Sequence, residues 1–239
     1  MKRGEIKKEV KKRYGQFAQQ GSLCCPDYSY CDIGYSIEEI KDLPSDVSGF
    51  SLGCGNPVAL ASISEGEVIL DIGSGGGLDV FLASKKVGPK GKVIGLDMTE
   101  QMIKRARQSA KRGNYNNVEF KLADAEDIPV KDNSIDLVMS NCVINLAPDK
   151  ERVYREIYRV LKPSGRFVIS DLVAKEKLDE SIKNNPEKLV ACVGGALTEE
   201  DYIGTIKRVG FKKVRILKKS SMVVSGVKVL SETIKGEKG

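Results

Sequence analysis

The chain has 239 residues, 41% apolar and 30% charged, which is the balance of a globular protein with room for one substantial core. It holds no histidine, so the commonest general base is missing from any mechanism. No apolar run nears the ~20 residues that span a bilayer, and the charged first 13 residues do not read as a secretory signal; a cytoplasmic protein without a membrane partner is expected. The net charge of +6 is concentrated at one end. Seven basic and two acidic residues leave +5 in positions 1–13 and about +1 in the rest, without interleaved aromatics, so a nucleic-acid partner is not expected.

Residues 5–19 read as a helix whose basic face is solvated, followed by a Gly/Ser/Cys/Pro/Tyr-rich stretch over 21–34. Ser36 with Glu39 has the spacing of a capping box, and Asn56-Pro57 that of an N-cap and first helical position. From residue 67 the pattern alternates. Runs at 68–71, 92–96, 118–122, 135–140 and 166–170 are continuous and rich in β-branched residues, as buried parallel strands are. Between them, 99–112 places Met102, Ile103, Ala106 and Ala110 on one helical face, and 149–161 does the same with Val153, Ile157, Val160 and Leu161. Thr198 caps a last helix before Gly210, and apolar stretches near 213–217 and 224–234 predict a terminal antiparallel hairpin. The fold expected is α/β, a doubly wound Rossmann-like sheet. Residues 1–65 form a helical, Cys-rich lead-in, 66–175 the cofactor-binding core, and 176–239 a substrate-covering insertion with the hairpin.

Asp71-Ile72-Gly73-Ser74-Gly75-Gly76-Gly77 follows the first strand and opens a helix. Its glycines allow a tight turn and close approach of a ligand to backbone amides. A dinucleotide fingerprint wants a small residue where Leu78 stands. The acidic residue two before the first glycine, with the third glycine one step early, instead resembles the D-x-G-x-G-x-G loop of class I methyltransferases. That resemblance implies S-adenosylmethionine as cofactor. Asp97 ends the second strand, 20 residues beyond Gly77, where a carboxylate can accept from two ribose hydroxyls. Asp124-Ala125 ends the third, like the family's adenine contact. The cofactor residues so implied are Asp71, Gly73, Ser74, Gly75, Gly77, Asp97, Met98, Asp124, Ala125 and Asn141.

Six cysteines without a secretory signal point to ligands, redox chemistry or core packing rather than a disulfide framework. Cys142 lies just beyond the fourth strand, Cys192 in the insertion after the fifth, and Cys54 directly before the cofactor strand, so three thiols distant in sequence can converge on one rim. Free cysteine often only packs, but the glycines, asparagines and proline around Cys54 and Cys142 suit an accessible loop better than a core. A zinc site from Cys24, Cys25, Cys31 and Cys54 would lack any C-x-x-C pair.

Gly-Cys-Gly-Asn-Pro at 53–57, Asn-Cys-Val-Ile-Asn-Leu at 141–146 with Pro148-Asp149-Lys150, and Cys192 before Gly-Gly-Ala-Leu-Thr resemble the arsenite methyltransferase family over residues 10–217. The resemblance implies trivalent arsenic bound at Cys54, Cys142 and Cys192, with Cys24 and Cys25 assisting redox turnover against an external thiol reductant of the thioredoxin or glutathione type. Pro26 after the cysteine pair and the additional Cys31 depart from the family pattern. The chemistry suits the composition: arsenic(III) is soft and thiophilic, and its lone pair needs no base to attack a methyl group. Two rivals stand beside this reading. One is a quinone-type C- or O-methyltransferase, with Asp171 or a tyrosine as base. The other is an arsenic- or metal-responsive binding protein that keeps the cofactor fold only as a scaffold.

Overall fold

A computed structural model describes residues 3–21, 31–48 and 53–239. The lead-in comprises α1 (Arg3–Gln20), α2 (Ile37–Ile40), α3 (Ser45–Ser48) and α4 (Pro57–Leu60). Then follow β1 (Val68–Ile72), α5 (Leu78–Val87), β2 (Lys92–Asp97), α6 (Glu100–Arg112), β3 (Val118–Leu122), β4 (Ile135–Asn141), a 3-10 turn at Ile144–Leu146, α7 (Lys150–Val160) and β5 (Leu161–Ala174). The insertion holds α8 (Glu180–Lys183) and α9 (Pro186–Val190), and the chain closes with α10 (Glu199–Val209), β6 (Lys212–Val224) and β7 (Val227–Glu237). Residues 22–30, which carry Cys24 and Cys25, lie outside the described residues.

The seven strands form one sheet in the order β3-β2-β1-β4-β5-β7-β6, parallel from β3 through β5 and antiparallel thereafter. Both faces are covered over β1, β2, β4 and β5, which is why those strands read as apolar runs, whereas the edge strand β3 leaves Leu122 exposed and Glu119 and Lys121 half-buried. Ile69, Val93, Leu137 and Val168 pack with Val80 and Phe81 of α5 and Ile103 and Ala106 of α6. Their neighbours Leu70, Ile94, Val138 and Ile169 face the other way, onto Val153 and Ile157 of α7 and Tyr202 and Ile206 of α10.

The helix ends follow their signals. Ser36 and Glu39 close a reciprocal capping box, Asn56 accepts from the Ala59 amide ahead of Pro57, and Thr198 accepts from the Asp201 amide. Two boundaries differ from the sequence reading. Leu161 belongs to β5, not to the preceding helix, and β5 begins there because Ile135 pairs with Leu161 before the register shifts to Leu137 and Arg166. The hairpin is also longer, since Ser225 and Gly226 both take positive φ (48° and 76°), the two-residue turn whose twist matches the flanking strands. β7 pairs with β5 from Arg166↔Glu237 to Ala174↔Val229, which carries Ser231 to the carboxyl end of the sheet.

The basic helix α1 is not simply a solvated face. Val10, Gly15 and Ala18 are buried, Lys7 pairs with Asp124 and Glu126 at 2.6 and 2.7 Å, and Arg105 donates to the Ala18 carbonyl. The positive charge serves to seat the helix across the strand ends.

Candidate active site

Strand order reverses between β1 and β4, and ligands of such sheets sit outside the carboxyl ends of the strands there. A cavity open to solvent lies at that place. Asp71, Gly73, Ser74, Gly75, Asp97, Met98, Asp124, Ala125 and Asn141 all line it, roofed by Lys7, Val10 and Tyr14 of α1. Gly77 sits behind it, at the start of α5, where φ is 97° and a Cβ would press on Phe81.

The cavity fits a cationic nucleoside ligand on three counts. Gly75 has φ of 51° and a Cβ there would meet nothing within 4 Å, so only open cavity lies over its Cα. The Ser74 hydroxyl is buried and has no hydrogen-bond partner among the described residues. Asp71, Asp79 and Asp97 crowd the floor. Burial, with Asp79 and Asp97 beside it, raises Asp71 well above the usual carboxylate range; burial lifts Asp79 to about 6 and raises Asp97 also. A bound positive charge would relieve all three. Asp97 already accepts from the Gly75 and Thr99 amides at 3.0 and 2.8 Å, pinning the glycine loop in shape.

Gly75→Val is therefore expected to weaken cofactor binding at least tenfold, on the order of 1.4 kcal/mol or more, from space filled and φ strained. Titration calorimetry showing unchanged affinity would put the ligand elsewhere. The carboxyls predict a pH dependence as well. A buried carboxyl with its folded pKa near 6 stabilises the fold fully below its unfolded value, about 4, and loses that contribution as pH rises through 6. A cationic ligand prefers the ionised form, so affinity should rise between pH 5 and 7 with release of protons. Equal affinity across that window would contradict the assignment.

Cys54, Cys142 and Cys192 come together beside this cavity in one apolar cluster, with Val10, Leu146, Leu172 and Val193. The thiols of Cys192 and Cys54, with burial, push the Cys142 thiol well above its ordinary value. Cys142 lines the cavity, and the Cys192 thiol donates to the Cys142 carbonyl at 2.9 Å. The exposure expected of Cys54 and Cys142 is overturned: they are 5% and 6% exposed, because α1 and the insertion close over them. Cys31 is exposed and stands apart from this group.

Each thiol is held by a specific local device. Cys142 and Cys192 both take left-handed backbone, φ 59° and 63°, uncommon for a side chain with a Cβ and found at constrained sites. Gly195 lets the insertion lie against the 3-10 turn, since a Cβ there would collide with the Asn145 carbonyl. Cys54 is held by Asn141, whose side-chain oxygen accepts from the Cys54 and Gly55 amides at 2.9 and 3.2 Å. The Asn141 amide group donates to Gly55 O and to the Tyr35 hydroxyl, and Tyr35 donates to Asp79 at 2.6 Å. The Ser231 hydroxyl donates to the Cys54 carbonyl from β7. The sequence reading missed Lys7, Tyr14, Tyr35 and Asp79. Only Asp79, an acid in the first turn after the glycine loop, offered a local signal.

Residues 63–216 match the methyltransferase-domain family. Over 233 residues the chain is 40% identical to an arsenite methyltransferase of Halobacterium salinarum, covering 90% of this chain and 59% of that one. It superposes on an arsenic(III) S-adenosylmethionine methyltransferase from Chlamydomonas reinhardtii with a TM-score of 0.75 at 34% identity, over 83% of this chain and 71% of that one. The chain belongs to the arsenite methyltransferase family. Similarity to a demethylmenaquinone methyltransferase of Listeria welshimeri is 36% but confined to 112 residues, 47% of the chain and 48% of that protein. The chain spans 59–65% of the length of the curated arsenite methyltransferases it matches. No helix among the described residues is long and apolar enough to cross a membrane.

Proposed function

We propose that this arsenite methyltransferase family member transfers the methyl group of S-adenosylmethionine to trivalent arsenic bound by Cys54, Cys142 and Cys192. The observation that carries the reading is the meeting of three thiols from the lead-in (1–65), the core (66–175) and the insertion (176–239) against a cavity with a cofactor's chemistry. When bound there, S-adenosylmethionine supplies an electrophilic methyl carbon on a sulfonium. Asp71 and Asp79 would hold its positive end, Asp97 would accept from its ribose hydroxyls, Asp124 and Ala125 would meet its adenine, and Gly73, Ser74, Gly75, Met98 and Asn141 would shape the remainder of its cradle. The thiolates fix arsenic so that its lone pair faces the cavity through Cys142, and the contribution to rate is alignment. No base is needed, which accords with the absence of histidine. Transfer raises arsenic formally to the pentavalent state. Two thiols return it to trivalent by giving up two electrons as a disulfide, which an external thiol reductant of the cytoplasm reopens; Cys24 and Cys25 are the candidates for that relay.

The test is incubation of the purified protein with methyl-labelled S-adenosylmethionine, arsenite and glutathione, with labelled methylarsenicals as the expected product. Arsenite alone should also raise the melting temperature, because it ties lead-in, core and insertion together in the native state only. Label appearing on a quinone precursor, with no response to arsenite, would transfer the assignment to the quinone-type enzymes.

A further inference from the structure

Beside the thiols, and not among the residues that line the cofactor cavity, lies a carboxylate that methyl transfer to a thiol-bound lone pair does not use. Asp171, on β5, is fully buried, and its ligand atom lies with the sulfurs of Cys54 and Cys142 inside a sphere of contact where all three are within 4.8 Å of one another. It is held in place from three directions. The Asn145 amide and the Tyr202 hydroxyl donate to one oxygen at 3.1 and 2.9 Å, and the Leu172 amide donates to the other at 3.0 Å. Tyr202 is itself fixed by a hydrogen bond from Tyr154 at 3.2 Å. Metal-ligating carboxylates are oriented by such outer partners.

We propose that Cys54, Cys142 and Asp171 form a binding site for a borderline-soft divalent cation of the zinc type, which excludes arsenic while it is bound. Two thiolates and a carboxylate are a donor set for a tetrahedral d¹⁰ ion with a fourth position left to water. With metal–sulfur bonds of about 2.3 Å and metal–oxygen bonds of about 2.0 Å, the donors of a tetrahedral site stand roughly 3.5–3.8 Å apart, a contraction of at most about 1.3 Å from the present spacing. Binding displaces the protons of two thiols into solvent and leaves the site with one net negative charge. Trivalent arsenic has a different demand: three sulfurs and no carboxylate. Asp171 is thus the residue that separates the two occupants, and the cation site stands or falls independently of arsenic methylation.

The experiment titrates cobalt(II) into the full chain, reduced with a phosphine and kept free of oxygen and small thiols. One equivalent should bind with thiolate-to-cobalt charge transfer and the intense visible bands of four-coordinate cobalt, and zinc should bleach them. Asp171→Asn should weaken binding at least about tenfold. Cys54→Ser should remove about half of the charge-transfer intensity, one of two thiolates, and serves if the buried Asp171 variant does not fold. Replacing Cys24, Cys25 and Cys31 together by serine should leave the bands intact. Pale octahedral cobalt in the wild-type chain, wild-type affinity in both site variants, or loss of the bands with the three lead-in cysteines would overturn the proposal. Arsenite stripping the cobalt supports both readings. Persistence of the bands under excess arsenite upholds the cation site and counts against arsenic at these thiols.

Discussion

Cys54→Ser is expected to lose methylation of arsenite, on the order of 10²-fold or more, and to keep methylation of monomethylarsenite. The division follows from counting exchangeable positions on arsenic. Arsenite offers three, so full capture takes all three thiolates; monomethylarsenite already carries one carbon that does not exchange and offers two. Cys142 and Cys192 are the pair joined by a thiol-to-carbonyl hydrogen bond, whereas Cys54 belongs to the lead-in and is placed through Asn141 and Ser231. Cys142→Ser and Cys192→Ser should therefore lose both activities, because one remaining thiolate cannot orient the lone pair. Cys142 touches both other thiols, and its loss should be the most severe of the three. Product speciation for each variant with each substrate under excess glutathione decides the matter. Equal loss of both activities in Cys54→Ser would sink the division.

Asn141→Ala is expected to destabilise the fold by about 3–5 kcal/mol and to loosen Cys54. The side chain satisfies the amides of Cys54 and Gly55 and the carbonyl of Gly55, and it also steadies the Tyr35 hydroxyl beside Asp79. Removing it strands those groups in a buried position, where each costs about 1–3 kcal/mol. The fit is close, since a Cβ on Gly53 would run into the Asn141 amide. Denaturant unfolding gives the stability, and arsenite-dependent melting gives the site. A variant as stable as the parent would show that the Cys54 turn holds its shape by other means.

The sheet was readable because its physics is local. Four apolar runs buried on both faces stand out without any partner in view, the edge strand β3 being half-exposed, and Thr198, Asn56 and Ser36 announce helices through bonds made three residues away. The left-handed Ser225-Gly226 pair of the hairpin was equally local and was passed over. The thiol surroundings were a different matter. Tyr35 and Asp79 are 44 residues apart, and Asn141 reaches back 106 to Tyr35, so no periodicity links them. Glycine, asparagine and proline around Cys54 read as a surface turn, and they do form a turn. What covers it is α1, whose lysines looked solvated until Asp124 and Glu126 were set opposite Lys7.

The left-handed backbone at Cys142 and Cys192 bears on how such a protein can be hardened against heat. An L-residue in that conformation costs about 1–2 kcal/mol, and a buried sulfur contributes about 0.8 kcal/mol, the value of one methylene. Glycine at either position would remove the strain at the loss of the sulfur and its methylene together, about 1.6 kcal/mol, which leaves stability roughly level. A screen that rewards survival at high temperature and ignores arsenic would accept those glycines readily. Packing alone does not retain the two thiols, so any selection for robustness has to be run with the metalloid present.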